Sequence, residues 1–161
     1  MSQKLNSRFT IQEYVSPGVY SAYGDKSTRF ICPTLMAVDA LLCELVEKEL
    51  GHAVSCTINN WSGGGDRVAS GLRMPGEPNY SVTSAHAWGR GSDKLFSHKV
   101  TKARIPNKVI YDIVLNNQGA LYLAGMRRIE HIDDAPSWLH SDTLWTPPEF
   151  KDKIQIVRVQ K

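Results

Sequence analysis

Hydrophobic residues recur at helical spacing between Pro33 and Leu50, and this stretch is the clearest secondary-structure element of the chain. Apolar side chains three or four positions apart lie on one face of a helix, while the charged positions between them face outward. Proline suits the first turn of a helix and glycine the position after its end, so Pro33 and Gly51 mark the boundaries. The apolar face consists of Leu35, Val38, Leu41, Leu42, Leu45, Val46 and Leu50.

A second amphipathic helix is predicted over residues 107–116, again with its apolar side chains on one face. Shorter stretches of alternating or β-branched residues predict strands, and a turn at residues 133–136 separates two of them. We therefore expect one α+β domain over residues 1–161, with a small antiparallel sheet and flanking helices. The predicted strands cover residues 53–58, 126–132, 137–144 and 153–159.

The stretch from residue 62 to residue 93 is rich in Gly, Pro, Ser and Asn, which favour loops over regular elements. It also contains Arg, His, Trp and Asp side chains. A loop of this length inside a compact domain is usually either functional or disordered, and these side chains favour function. We expect a long functional loop here.

Composition excludes several classes of protein. With 42% hydrophobic and 22% charged residues, the chain has the make-up of a globular domain and not of a disordered or low-complexity segment. The net charge of +3 falls well short of a dense basic stripe and by itself argues nothing about nucleic acid, and we predict no nucleic-acid partner. No apolar run is long enough for a membrane span, so we predict no membrane partner.

Two features bear on the cellular compartment. Residues 1–8 are polar with no apolar segment behind them, which is unlike a secretory signal. The three cysteines, Cys32, Cys43 and Cys56, are dispersed without a C-x-x-C pair, as is typical of buried free thiols. We expect synthesis in the cytoplasm without export.

The strongest candidates for chemistry are His86, Asp93 and His140. A catalytic zinc site has three protein ligands and an open fourth position for water. Two glycines lie between His86 and Asp93, so the chain can turn there and bring both side chains to one point. His140 would reach that point from a separate strand. Histidines and aspartates also occur as solvated or core residues in any protein of this size, so the residue types alone leave that alternative open.

The segment Ser84–Asp93 has the pattern S-x-H-x-x-G-x-G-x-D and resembles the S-x-H-x-x-G-x-A-x-D motif of the zinc D-alanyl-D-alanine peptidase family. That family includes D-Ala-D-Ala carboxypeptidases, D-Ala-D-Ala dipeptidases and phage L-alanyl-D-glutamate endolysins. The resemblance spans about Phe9 to Trp145 and is specific as a set, because four pieces occur in the right order and spacing. The other three pieces are Ile58-Asn-Asn-Trp-Ser62, Ser70-Gly-Leu-Arg73 and Trp138-Leu-His140-Ser-Asp142.

This resemblance implies a zinc ion (Zn2+) held by His86, Asp93 and His140, on the fold shared with the hedgehog signalling domain. It implies a metallopeptidase that cuts a peptide bond in peptidoglycan stem peptides, either as a D,D-carboxypeptidase or as an endolysin-type endopeptidase. We expect the protein to be a monomer. If phage-encoded, such a protein would act at the host cell wall. The resemblance also implies that Arg73 contacts a substrate carboxylate or the oxyanion. The alternative for Arg73 is a structural role, bound to an Asp or a carbonyl.

The general base is the point at which this chain departs most from the family that it resembles. Many of them have Glu three residues before the last His ligand, where this chain has Ser137. We predict Glu130 as the base and Asp142 as the reserve, because a hairpin around the intervening turn would bring them onto one face near the metal. Glu130 would otherwise face outward and pair with Arg127 or Arg128, and Asp142 would otherwise orient a ligand.

A smaller departure is Gly91, which replaces the usual alanine and should be tolerated because both residues are small. The missing Glu has the larger consequence. If no carboxylate serves as the base, the alternative function is a zinc-bearing but weakly active or inactive relative. Such a protein would be a binding or structural module at the cell wall or in a virion.

Overall fold

A five-stranded sheet carries the residues of interest in the computed structural model, which describes residues 8–159. The strands are β1 (Val54–Thr57), β2 (Gly91–His98), β3 (Arg128–Glu130), β4 (Leu139–Asp142) and β5 (Gln155–Val157). Their order across the sheet is β1-β2-β4-β3-β5. The α+β class predicted from the sequence is confirmed.

Helix α3 packs against the sheet through the apolar face that the sequence pattern predicted, and its bounds are those expected, Pro33–Leu50. Gly51 ends it in the left-handed conformation, with φ of 69°. Helix α4 also has its predicted bounds, Asn107–Asn116. The remaining α-helices in the described part are α1 (Ile11–Tyr14), α2 (Pro17–Tyr23) and α5 (Gln118–Ala124).

The sheet is antiparallel except between β3 and β5, which run parallel. The sequence predicted a small antiparallel sheet, and the β3–β5 pair is the exception. The chain reverses direction between β4 and β5, and β5 then pairs with β3, the antiparallel neighbour of β4. A strand that enters in this way necessarily runs parallel to β3. The order of the strands in the sheet therefore determined that β5 pairs parallel with β3.

The predicted loop over residues 62–93 is shorter than expected. A 3-10 turn covers Ala85–Trp88, and β2 begins at Gly91. The first four residues of β2 are all buried, and three of them are polar, so the strand has no alternation of apolar and polar residues to reveal it. The predicted strands at residues 53–58, 126–132, 137–144 and 153–159 are present but shorter.

The described residues do not include the two ends of the chain. The expectation of no secretory signal and the outer limits of the predicted domain fall partly on residues 1–7 and 160–161, which lie outside the described residues. Within residues 8–159, no helix is both long and apolar enough to cross a membrane.

Candidate metal centre

Three separate parts of the chain bring His86, Asp93 and His140 together. His86 lies in the 3-10 turn, Asp93 in β2 and His140 in β4. Strands β2 and β4 are neighbours, and their register places Asp93 directly opposite His140. The three residues are among the buried polar residues of the protein, with exposures of 3%, 9% and 7%.

The S-x-H-x-x-G pattern has a local structural cause. The Ser84 hydroxyl accepts a hydrogen bond from the His86 backbone N–H and caps the 3-10 turn. Gly89 ends the turn with φ of 60°, and a Cβ there would lie 1.9 Å from the carbonyl oxygen of Phe30. Only glycine fits this position, because it both turns left-handed and contacts another backbone. The turn orients His86 toward β2.

Three potential ligand atoms converge on one point. His140 Nδ1 lies 2.8 Å from Asp93 Oδ1, and His86 Nε2 lies 3.3 Å from the same oxygen. The two ring nitrogens are 3.2 Å apart. Around a tetrahedral zinc with bonds of about 2.0–2.1 Å, ligand atoms are separated by about 3.3–3.4 Å. The three residues are therefore positioned to bind a metal ion.

Hydrogen bonds to the other ring nitrogens determine which tautomers are present. His86 Nδ1 lies 2.7 Å from the carbonyl oxygen of Gly71, which can only accept, so Nδ1 carries the proton. His140 Nε2 likewise donates to Asp142 Oδ2 at 3.3 Å. When neutral, both rings therefore turn an acceptor nitrogen toward the ionised Asp93. Three acceptors in contact require a cation between them, either a proton or a metal ion.

The pKa shifts of Asp93 and His140 agree with this requirement. Burial raises the pKa of the Asp93 carboxyl, but the charge of His86 and the hydrogen bonds from both histidines outweigh burial and hold that pKa well below its usual range. Burial lowers the pKa of His140, but its hydrogen bonds to Asp142 and Asp93 raise it to about 9. A proton therefore occupies the cluster when no metal does.

Arginine side chains hold Asp93 in place. Arg73 Nη2 donates to Asp93 Oδ2 at 3.0 Å, and Arg73 Nε donates to the Ala69 carbonyl at 2.6 Å. Arg67 Nη2 donates to the backbone carbonyl of Asp93 at 3.1 Å. Arg73 thus makes the contacts expected of its structural alternative, to an Asp and to a carbonyl, while it also lines the cavity beside the cluster.

The Asp142 carboxylate accepts hydrogen bonds from several neighbours. Besides His140, its carboxylate receives hydrogen bonds from Arg128 Nε at 3.0 Å and from the Leu144 backbone N–H at 3.0 Å. Burial raises the pKa of Asp142, but the bonds from His140 and Arg128 outweigh burial, and the net pKa is lowered. The side chain is 1% exposed. This geometry suits an ionised carboxylate that orients the His140 ring.

Glu130 differs from Asp142 in having no fixed partner. Strand β3 pairs with β4, and alternation along β3 places Glu130 on the same face as Arg128, the cross-strand neighbour of Asp142. Across residues 8–159, no hydrogen bond or ion pair involves its carboxylate, so the expected alternative of pairing with Arg127 or Arg128 is absent there. Burial raises the pKa of Glu130, and the negative charge of Asp93 adds to this effect.

A cavity of about 620 Å³ opens beside the cluster. Its wall includes all three candidate ligands together with Glu130 and Asp142. The wall also includes three guanidinium groups and an aromatic ring, which could contact a ligand: Arg73, Arg128, Arg158 and Trp138. The cavity is large enough for a short peptide segment, and it offers both cationic groups and a free carboxylate.

The surroundings of Gly91 leave no room for a side chain. A Cβ at this position would lie 2.9 Å from the Ala85 Cβ and 3.2 Å from His140 Cε1. Contacts this short force a neighbour to move, and the Ala85 Cβ cannot move without its backbone. In this chain, alanine at the family's usual position would press on a candidate ligand.

Sequence reasoning did not identify two contacts of the cluster, the bond from Arg67 to Asp93 and the bond from Arg128 to Asp142. Period-two alternation in β3 could have placed Arg128 on the same face as Glu130. Arg67 has no such signal, because it reaches Asp93 from the irregular segment before β2.

Comparisons with known proteins add no relative. No protein-family model, no curated protein and no solved structure matches this chain. Interpretation of the cluster therefore depends on its geometry and on the motif residues themselves.

Proposed function

We propose that this protein is a zinc-dependent peptidase whose metal is held by His86 Nε2, Asp93 Oδ1 and His140 Nδ1. The observation that carries the proposal is the convergence of three acceptor atoms within 3.3 Å of one another, at the wall of an open cavity. The fold proposed with this function is that of the hedgehog and D-alanyl-D-alanine peptidase domains.

The ligand set supports zinc in a catalytic role. Structural zinc sites are closed by four protein ligands, whereas catalytic sites have three and leave one position open. Here three ligands face a cavity, and the second nitrogen of each histidine donates to an oxygen, as in most zinc–histidine sites. Bound zinc would lower the pKa of its water and polarise a substrate carbonyl.

Glu130 supports the hydrolytic part of the proposal. A general base needs a carboxylate that is free to accept a proton, and its pKa works best when raised toward the operating pH. Glu130 lines the cavity and has no hydrogen-bond or ion-pair partner among residues 8–159, and burial raises its pKa. Its carboxylate would accept the proton from the attacking water and return it to the leaving amine.

The substrate proposed is the stem peptide of bacterial peptidoglycan, which the motif resemblance implies. The cavity wall supports an anionic peptide, because Arg73, Arg128 and Arg158 place positive charge around it. A D,D-carboxypeptidase would bind a terminal carboxylate there, and an endolysin-type endopeptidase would bind a longer segment.

A second candidate function follows from Ser137, which stands where many relatives of the resembled family have their base. If Glu130 does not serve as the base, the cluster would hold zinc without hydrolysis. The protein would then be a binding or structural module at the cell wall or in a virion.

Metal content and amine release together test the proposal. We expect about one zinc per purified chain, and loss of most of it in His86→Ala, Asp93→Ala and His140→Ala, because removing one of three ligands opens the site. His52→Ala, a histidine outside the cavity wall, is the control and should retain the metal. Incubation with peptidoglycan should release new amino groups, detected by labelling and assigned by mass spectrometry.

Two results would contradict the proposal in different ways. A wild-type chain that binds zinc but releases no amine would favour the binding module. A wild-type chain that binds no zinc would remove the metal centre itself.

A further inference from the structure

A buried ionic cluster lies directly behind the candidate ligands, on the opposite face of the sheet. It consists of Lys94 in β2, Asp39 in α3 and three hydroxyl residues. The Lys94 and Asp39 side chains are both 0% exposed. Charged side chains are almost never fully buried unless they are paired. The hydroxyl groups belong to Tyr14, Ser92 and Ser141.

The ammonium group of Lys94 connects the two ligand-bearing strands. Its Nζ donates to Ser92 Oγ in β2 and to Ser141 Oγ in β4, each at 2.7 Å, and to the Ser92 carbonyl at 3.1 Å. These bonds use the three protons of an ammonium group. Nζ also lies 2.9 Å from Asp39 Oδ1 as an ion pair, outside the geometry of a hydrogen bond.

Asp39 extends the same cluster into helix α3. Its Oδ2 accepts hydrogen bonds from Ser92 Oγ at 2.9 Å and from the Tyr14 hydroxyl at 3.1 Å. The cluster therefore joins α3 to both β2 and β4 through charge-assisted bonds, which are the stronger kind.

The cluster residues alternate with the candidate ligands along both strands. Asp93 lies between Ser92 and Lys94, and His140 immediately precedes Ser141. The β2–β4 register pairs Ser92 with Ser141 and Asp93 with His140. A slip of one residue between β2 and β4 would put Asp93 and His140 on opposite faces of the sheet, and it would also take the Ser141 hydroxyl away from the buried ammonium.

A buried ion pair is weak support for stability, because desolvation offsets most of its attraction. Its benefit lies in geometry, since the ammonium can donate to Ser141 across the two strands in one register only. We infer that Lys94 and Asp39 are positioning residues, which set the β2–β4 register and so the spacing of Asp93 and His140 for metal binding. This inference rests on the metal centre proposed above.

Zinc affinity tests the inference without any need for peptidase activity. The double variant Lys94→Met with Asp39→Asn removes both charges together, and the asparagine oxygen can still accept from Tyr14 and Ser92. We expect its zinc dissociation constant, measured by chelator competition below its melting temperature, to rise about 10–100-fold, the range typical when supports of ligands are lost. The visible spectrum of bound Co2+ should change as well, since it reports ligand geometry.

A matched control removes another ion pair of the same helix. Arg8 pairs with Glu47 at 2.5 Å near the far end of α3, away from the ligands. Arg8→Met with Glu47→Gln should lower stability while zinc affinity and the Co2+ spectrum remain those of the wild type. A loss of affinity in both double variants would indicate general loosening and overturn the inference.

Ser141→Ala is the second test variant, because it deletes one hydroxyl and leaves the charge pair intact. It should weaken zinc binding in the same direction and by a smaller factor. If the first double variant does not fold, the zinc affinity of Ser141→Ala tests the inference in its place. Wild-type affinity in the folded test variants would overturn the inference alone, whereas a wild-type protein without zinc would overturn the proposed metal centre.

Discussion

Glu130 and Asp142 are both carboxylates on the face of the sheet that carries the candidate ligands, but their hydrogen-bond partners differ. Asp142 is bonded to His140, Arg128 and a backbone N–H, which leaves it little capacity to accept a further proton. Glu130 has no such partners among the described residues and lines the cavity. The carboxylate that orients and the carboxylate that exchanges protons are therefore separate residues in our proposal.

Exchange of each carboxylate for its amide should separate the two roles. Glu130→Gln should retain fold and zinc while turnover falls about 100-fold or more, the usual scale for loss of a general base. Asp142→Asn should act through the metal, with about 10–100-fold weaker zinc affinity. Steady-state kinetics and chelator competition measure both effects.

Glu149→Gln, at an exposed glutamate, is the control and should change neither turnover nor zinc affinity. Full activity in Glu130→Gln, together with an inactive Asp142→Asn that retains its zinc, would reverse the assignment.

Gly91 offers a test of packing at the same scale. Gly91→Ala should lower zinc affinity, because the new Cβ would meet Ala85 at 2.9 Å and His140 at 3.2 Å. Overpacking of this kind typically costs about 1–3 kcal/mol of stability, which thermal melting would show. Gly119→Ala is the matched control, since its Cβ would meet nothing within 4 Å. Wild-type zinc affinity in Gly91→Ala would show that the backbone around Ala85 adjusts freely.

At the scale of elements, the segment between β1 and the 3-10 turn is held to strand β2 through Asp93. Arg67 and Arg73 both donate to Asp93, and the Asp93 backbone N–H donates to the Ser70 carbonyl at 2.8 Å. The same segment provides the Gly71 carbonyl, which accepts the hydrogen bond from His86 Nδ1. This irregular segment therefore contributes to the orientation of two candidate ligands, His86 and Asp93, without providing a candidate ligand itself.

Arg73→Lys distinguishes the two roles of this arginine. Lysine retains the charge but cannot donate to Ala69 and Asp93 with a planar fork. If Arg73 mainly positions Asp93, zinc affinity should fall, and activity should fall only as far as zinc occupancy does. If it binds a substrate carboxylate or the oxyanion, zinc affinity should stay unchanged while activity is mostly lost. We expect a measurable loss of zinc affinity, because its Nε and Nη2 already donate within the protein.

At the scale of the whole molecule, one metal ion would join three distant parts of the chain. His86, Asp93 and His140 come from a turn, a central strand and its neighbour. A ligand that binds only the folded state stabilises it by mass action, by about 2.7 kcal/mol at a free concentration 100 times the dissociation constant. Zinc should therefore raise the melting temperature by about 5–10 °C for a domain of this size.

Calorimetry with zinc and with a chelator measures this shift. His140→Ala should melt at the same temperature in both conditions, since it lacks a ligand. A wild-type melting temperature that does not respond to zinc would contradict the metal centre, whatever the activity on peptidoglycan.

The sequence by itself determined helices α3 and α4, because an apolar face at helical spacing is a local property that burial then satisfies. The approximate positions of four strands followed from local patterns in the same way. Strand β2 was hidden, since its buried positions are filled by Ser92, Asp93 and Lys94, and their polarity conceals the burial. Helices α2 and α5 were also missed, and each is only seven residues long.

The candidate ligands were named from motif residues, but their convergence was decided by tertiary structure. Asp93 and His140 are 47 positions apart, and only the β2–β4 register places them opposite each other. Tertiary structure also decided that Asp142 is hydrogen-bonded, that Glu130 has no such partner among the described residues, and that β5 pairs parallel with β3. Local patterns report which face of an element is apolar, whereas distances between side chains depend on how elements pack. The sequence thus provided the candidate ligands and carboxylates, and the packing of the elements determined which of these side chains lie in contact.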